Sequence, residues 1–268
     1  MKKKVKKCEK KLKWITLLSI FGVVILISIL VWTIYQSQQP VYSIESRVSR
    51  INKEQQKRKQ NVTAWVRVQG TNIDYPVIQN TMELNLGALM YDFAWTNNED
   101  EKFGNREIIM GHNILNVSKH PLVANENHHR FEQLASFMYY DFARKNQYIQ
   151  YTINGVDHLY KIFAVGFIDN EELDASTNNL TQSELKKHIK IAKKESFYRY
   201  SIDVDESDHI LTLVTCTRFF GVDSDKIFRI DAREVREDEK ILKYRVAESA
   251  KYDKIKEEME GEEEYEEA

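Results

Sequence analysis

Two cysteines in 268 residues, Cys8 and Cys216, are too few for a disulfide framework. The chain also lacks a paired-cysteine metal pattern, a glycine-rich phosphate loop and any internal repeat. Structural zinc sites, P-loop nucleotide binding and solenoid architectures are therefore set aside. Net charge is low as well, at -2, but two opposed blocks hide in that number. The first thirteen residues carry eight lysines, from Lys2 to Lys13, against Glu9 alone, while acidic side chains dominate from Glu257 to the end. Such blocks read as solvated or membrane-facing tails, and no nucleic-acid partner is expected. With 42% hydrophobic and 30% charged residues, the rest fits one folded domain with appendages.

What the chain does have is one long apolar run. Ile15 to Ile34 carries no charge and is bracketed by Trp14, Trp32 and Tyr35. At ~1.5 Å per residue this spans ~30 Å of hydrocarbon, enough for a transmembrane helix. No small-x-small cleavage site follows it, so an uncleaved anchor is expected. The lysines ahead of it predict a cytoplasmic N-terminus and an extracytoplasmic remainder, with membrane lipid as a partner. On that topology Cys8 and Cys216 lie on opposite sides and cannot pair within one molecule. Cys216 is then a lone exported thiol, which is buried, bridged to another chain or chemically active.

Ser43 to Gln60 reads as a weakly amphipathic stalk helix. From Val62 onward short β-type runs take over, at residues 64–68, 75–78, 107–110, 148–153, 159–165, 210–216 and 227–232, and a mostly antiparallel sheet or barrel is expected. Asn154-Gly155 between two runs is the preferred dipeptide of a type I′ hairpin. Two helices interrupt the pattern, one from about Arg130 to Lys145 and one from about Gln182 to Phe197. The second opens on Thr181-Gln-Ser-Glu184, a capping box.

Ile210 to Cys216 is an apolar strand that ends at the thiol, with a loop through Thr217, Arg218 and Gly221 beyond. A rigid strand fixes the sulfur and the loop leaves room for a peptide. Acyl transfer through a thiol needs a proton partner. His209 is seven residues back on the same strand, about 23 Å away. His158 lies within a strand pattern, His188 flanks the apolar face of a helix, and His128 and His129 precede a helix start. His112 emerges where the strand Ile108-Ile-Met-Gly111 gives way to a loop, with His120 the rival in that loop. An oxyanion favours a fixed cation, and Arg229 shares one face of the next strand with Ile227, Asp231 and Arg233. That face is polar enough to line a groove. Ordinary ion pairing on an exposed strand remains the alternative, and Arg218 and Arg233 are rivals.

These residues resemble a known family. Thr212-Leu-Val-Thr-Cys216 is similar to the Thr-Leu-x-Thr-Cys signature of sortases, and Gly111-His112-Asn113 to the segment holding their essential histidine. Ile73-Asp-Tyr-Pro-Val-Ile-Gln79, the Phe131 to Asn146 helix, Tyr160 to Val165 and the helix before the cysteine strand resemble class B members, over about Val62 to Arg236. The resemblance implies a mostly β fold, a closed eight-stranded barrel with helices added at its N-terminus and before the cysteine strand. It implies a transpeptidase in which Cys216 attacks a C-terminal sorting signal of a secreted or pilin protein. An amine, from a cell-wall precursor or a pilin lysine, resolves the thioester. His112 moves the proton, Arg229 holds the oxyanion, and Thr215 and Asn113 contact substrate. No metal or organic cofactor is implied. In many class B members the arginine opens its strand closer to the cysteine, whereas here the loop from Thr217 to Lys226 is longer. The expected organisation is a basic cytoplasmic tail (1–13), an anchor (14–35), a stalk (36–61), a catalytic domain (62–240) and a disordered acidic tail (241–268). A non-catalytic, membrane-tethered assembly protein and a cysteine hydrolase releasing to water are the competing readings.

Overall fold

The computed structural model describes residues 2–58, 62–79, 94–96, 104–124, 130–173 and 178–266. His128 and His129 lie outside them. The chain divides into two compact units. The first, Met1–Val41 with Lys240–Leu242, contains helix α1 (Lys2–Ser37). Within α1, Leu18–Gln36 has a mean hydropathy of 2.5 and none of it is buried, so by length and composition it could cross a membrane. Its hydroxyls turn back on the helix, Ser28 Oγ to the Val24 carbonyl and Thr33 Oγ1 to that of Leu30, which hides them from an apolar surrounding.

The second unit, Tyr42–Glu239 with Lys243–Ala268, carries the rest. In chain order it comprises α2 (Val48–Arg58), β1 (Val62–Val68), β2 (Asp74–Gln79), β3 (Ala94–Thr96) and β4 (Arg106–Met110). A 3₁₀ helix (Arg130–Met138), α3 (Tyr140–Ala143), β5 (Tyr148–Ile153), β6 (Val156–Asp169) and α4 (Gln182–Glu195) follow. The unit ends with β7 (Tyr198–Tyr200), β8 (Ile210–Cys216), β9 (Lys226–Glu234), β10 (Val246–Glu248) and α5 (Ala250–Glu266). Among the described residues, eight strands close a barrel in the order β1-β2-β3-β4-β8-β9-β6-β5, and β10 pairs with β7 outside it. The β2–β3 and β4–β8 pairs are parallel and the others antiparallel.

Period-two alternation sorts each strand into an inner and an outer face. Leu211, Leu213, Phe228, Ile230 and Ala232 point inward with Val66, Val77, Ile109, Tyr151 and Ile162 to form the main core. The hairpin between β5 and β6 turns at Asn154 (φ 52°) and Gly155 (φ 78°), the two positive values a type I′ turn requires. Helix α4 begins with the expected capping box, since Thr181 accepts from the Glu184 N–H and Glu184 reaches back to the Thr181 N–H. Its Leu185, Ile189 and Ala192 pack on Phe163, Ala164 and Ile210, covering part of the barrel's outer wall.

Two expectations are corrected and a third is refined. The helix expected from Arg130 to Lys145 is a 3₁₀ segment and one α-turn, because Tyr139 between them is extended (φ -92°, ψ 125°). The stretch expected as a stalk helix contains α2, and from Tyr42 on it belongs to the compact unit. Arg47 is buried with its Nε and Nη2 2.8 and 2.9 Å from the Asp74 carboxylate. The acidic end expected to be disordered forms α5, whose Tyr252, Ile255 and Met259 join the main core.

Arg233, Lys161 and Glu239 tie β6 and β9 to the segment after β9. Arg233 Nη2 lies 2.8 Å and Lys161 Nζ 2.7 Å from the Glu239 carboxylate. Burial pushes that carboxyl up, but its bonds to Arg233 and Lys161 win and hold it at about 2. With an unfolded value of ~4.3, the resulting stability is complete above that pH and is lost as pH falls toward the folded value. Glu239→Gln should therefore lower the urea midpoint at pH 7 and flatten the wild-type loss between pH ~4 and ~2. The same acid limb in both proteins would contradict the clamp.

Candidate active site

The parallel register of β4 with β8 pairs Met110 with Val214. Gly111 extends the ladder by one rung, donating its N–H to the Val214 carbonyl at 3.2 Å. Two residues past Met110 and Val214 come His112, in the loop after β4, and Cys216, the last residue of β8, so the register of the two strands brings both to the same end of the barrel. Side chains lock this end. Thr215 Oγ1 donates to the Gly111 carbonyl at 2.6 Å, and Asn113 Nδ2 to the Cys216 carbonyl at 3.1 Å and the Asn116 carbonyl at 2.8 Å. Gly111 itself is needed for close approach, because a Cβ there would meet the Phe131 ring at 2.2 Å.

Cys216 is exposed and forms no disulfide. Below it on the outer wall, Ile108, Val214 and Leu173 form an apolar floor with half-buried Met110 and Ile227 at its edge. Above it, the loops after β4 and β8 are joined by the Arg218 N–H to the Val117 carbonyl, 2.9 Å. Burial pushes the Cys216 thiol up, and the Arg218 charge pulls against it. A thiol shifted upward in this way would need a neighbouring base to take its proton before it could act as a nucleophile. His112 is the histidine that follows the neighbouring strand end. Its ring meets that of Trp95 at a centroid distance of 4.6 Å and an interplanar angle of 46°.

The other described histidines stand elsewhere in the fold. His158 Nδ1 contacts Glu234 at 2.6 Å, His188 Nε2 contacts Asp231 at 2.9 Å, and His209 lies 4.0 Å from Glu234. His120 lines a cavity of about 250 Å³ with Tyr139, Tyr252, Lys256, Met259 and Glu260.

Arg229 stands opposite Val214, one rung below Cys216 on the same face. Alternation thus put Arg229, Asp231 and Arg233 on one face as expected, but that face does not line an open groove. All three are buried, Arg229 at 1% exposure. The Arg229 Nε sits 2.9 Å from Asp231, whose other oxygen accepts from Thr212 Oγ1 at 2.8 Å and contacts His188 of α4. Burial pushes the Asp231 carboxyl up, yet Arg229, His188 and Thr212 together hold it below the usual range. The Arg229 Nε and Nη1 have no aligned hydrogen-bond acceptor among the described residues. Arg233 is two rungs further on, opposite Ile210, and is clamped by Glu239. The cation that opens β9 is Lys226, whose Nζ lies 2.8 Å from Asp169.

Thr215 and Asn113, expected to contact substrate, are both buried. Thr215 shares the inner face with Phe228, Asn113 is 6% exposed, and both spend their polar atoms on the strand ends. Trp95, His188 and Asp231 were not singled out from the sequence as site residues. Nothing local distinguishes them, since their partners come from remote strands.

No protein-family model matches the chain. It is 22% identical over 203 residues to Sortase B of Listeria monocytogenes, covering 69% of this chain and 77% of that one. Sortase B of Clostridium perfringens superposes with a TM-score of 0.53 at 22% identity, over 71% of this chain and 98% of the other. A Sortase B complexed with triglycine superposes with 0.55 at 17%, over 78% and 92%. The fold is that of a class B sortase. Sequence similarity points to the same family and within it to class B, and these sortase relatives support a cysteine transpeptidase.

Alkylation of Cys216 by iodoacetamide should show a pH midpoint above the ~8.5 of an ordinary thiol, and Arg218→Ala should move it higher. A midpoint at or below that of a free thiol would contradict the electrostatic account.

Proposed function

We propose that the chain is a membrane-anchored, class B-like sortase that cleaves a C-terminal sorting signal of a secreted protein and transfers the acyl part to an amine. The observation that carries this reading is an exposed, undisulfided Cys216 at the end of β8, beside the end of β4 that leads into His112. In the proposed cycle Cys216 Sγ attacks the scissile carbonyl carbon as His112 accepts the thiol proton. The C–N bond breaks, His112 returns the proton to the leaving amine, and a thioester remains. An acceptor amine then attacks that carbonyl, loses a proton to His112 and displaces the sulfur, which is reprotonated. The triglycine bound to the sortase named above supports an amine acceptor of that kind here. The acceptor is a cell-wall precursor or a pilin lysine.

Arg229 is the proposed oxyanion-side cation. It shares the sulfur's face, is one rung away, and keeps donors without an aligned acceptor, so an arriving oxygen would complete them. Helix α1 is the proposed anchor, with the N-terminus cytoplasmic and the catalytic unit outside the cell, on the strength of the apolar span and the lysines before it.

Single-turnover acylation and product analysis test the reading. Cys216→Ala should abolish acylation, and His112→Ala should slow turnover by about 100-fold or more while His120→Ala leaves it near wild type. Arg229→Ala should slow acylation by about 100-fold to 1000-fold, and Arg218→Ala and Arg233→Ala much less. Because Arg229→Ala strands a buried carboxylate and should cost about 3 kcal/mol or more of stability, its rate must be read on folded protein. Retained transpeptidation in Cys216→Ala would sink the nucleophile. Near wild-type acylation by Arg229→Ala, with collapse in Arg218→Ala, would move the cation. Products that ignore an added amine would identify a hydrolase.

A further inference from the structure

We propose that Trp95 is a positioning residue for the His112 imidazole, a role that rests on the reading of His112 as the proton carrier. Trp95 lies at the centre of the three-residue strand β3, paired with Ile78 of β2 on one side and Met110 of β4 on the other. Directly opposed residues of neighbouring strands share a face, so Trp95 stands on the outer wall in the row that continues through Met110, Val214 and Arg229. His112 is two residues beyond Met110. The indole reaches its ring at 4.6 Å, in a tilted arrangement.

The indole has a rigid backing. Its own packing is against Ile51 of α2, Val62 and Trp65 of β1, and Ile78 of β2, of which the four are buried and Trp95 is half-buried. The indole is therefore wedged between a closed apolar cluster and the imidazole. His112 itself lies past the end of β4, where the backbone no longer forms regular ladder bonds, so strand geometry alone does not fix its ring. An aromatic pair at this separation limits the ring to a narrow range of orientations and contributes beyond simple area burial. A general base must stay within hydrogen-bond reach of the proton it accepts, and a small displacement of the ring costs rate without costing substrate affinity. Helix α2, through Ile51, is thus part of the cluster that backs the indole.

The test uses the full-length protein in detergent with a sorting-signal peptide and an amine acceptor, and compares Trp95→Ala, Trp95→Phe and His112→Ala. Trp95→Ala should lower kcat about tenfold with KM unchanged, the size of one strong aromatic contact expressed as a rate. Trp95→Phe should recover most of that loss. At neutral pH, alkylation of Cys216 by iodoacetamide, which needs no peptide groove, should slow in Trp95→Ala as well. The His112 ring proton resonances should move downfield in Trp95→Ala as the indole ring current is lost, and only partly in Trp95→Phe. A loss confined to KM with unchanged alkylation would make Trp95 a groove residue and overturn the proposal. So would unchanged kcat, or unmoved His112 resonances. If His112→Ala keeps wild-type turnover, the functional reading itself fails, whereas a dead His112→Ala beside an unimpaired Trp95→Ala overturns the positioning role alone.

Discussion

The parallel pairing of β4 with β8 is the contact on which the site depends. Its register, Met110 against Val214, brings the chain ends that carry His112 and Cys216 to the same end of the barrel. A slip of one residue would turn Cys216 to the inner face, among Leu213 and Phe228. Parallel strands cannot be joined by a tight turn, so this pairing joins residues about a hundred positions apart in the chain. Thr215, Asn113 and Gly111 lock it. Two of them add side-chain hydrogen bonds between the strand ends, and the third omits a side chain so that Phe131 can pack beneath.

A second constraint lies on the same wall. Arg229, Asp231, His188 and Thr212 form a buried polar group under α4, where an isolated charge would be costly. Each member offsets another, and α4 is held to the barrel partly by that exchange. The group stops one rung short of Cys216, which leaves the sulfur open while the wall below it is closed. Partial burial outweighs the pull of Arg218 and pushes the thiol up, which is why the proposed chemistry calls on a neighbouring base.

Much of this was legible in the sequence, where local rules govern. The strand ending at Cys216, the capping box at Thr181 and the Asn154-Gly155 turn each follow from a few adjacent residues. Alternation also grouped Arg229 with Asp231 and Arg233 correctly. It could not say what covers that face, because the cover is His188 on a helix about forty residues earlier. The acidic C-terminus misled for a related reason. Its charges dominate the composition, yet three apolar residues, Tyr252, Ile255 and Met259, suffice to seat α5 on the core. Trp95 gives no sequence signal at all, since its meaning lies in a ring carried by the next strand.

The central claim is that Cys216 forms a thioester with a cleaved secreted protein. The most direct measurement is acid-quenched recovery of the full-length protein from cells, followed by intact mass and peptide mapping. The account predicts a hydroxylamine-labile adduct on Cys216 that ends at the new C-terminus of the donor and disappears in Cys216→Ala. An adduct on any other residue, a hydroxylamine-stable bond, or no adduct at Cys216 while transpeptidation proceeds would contradict it.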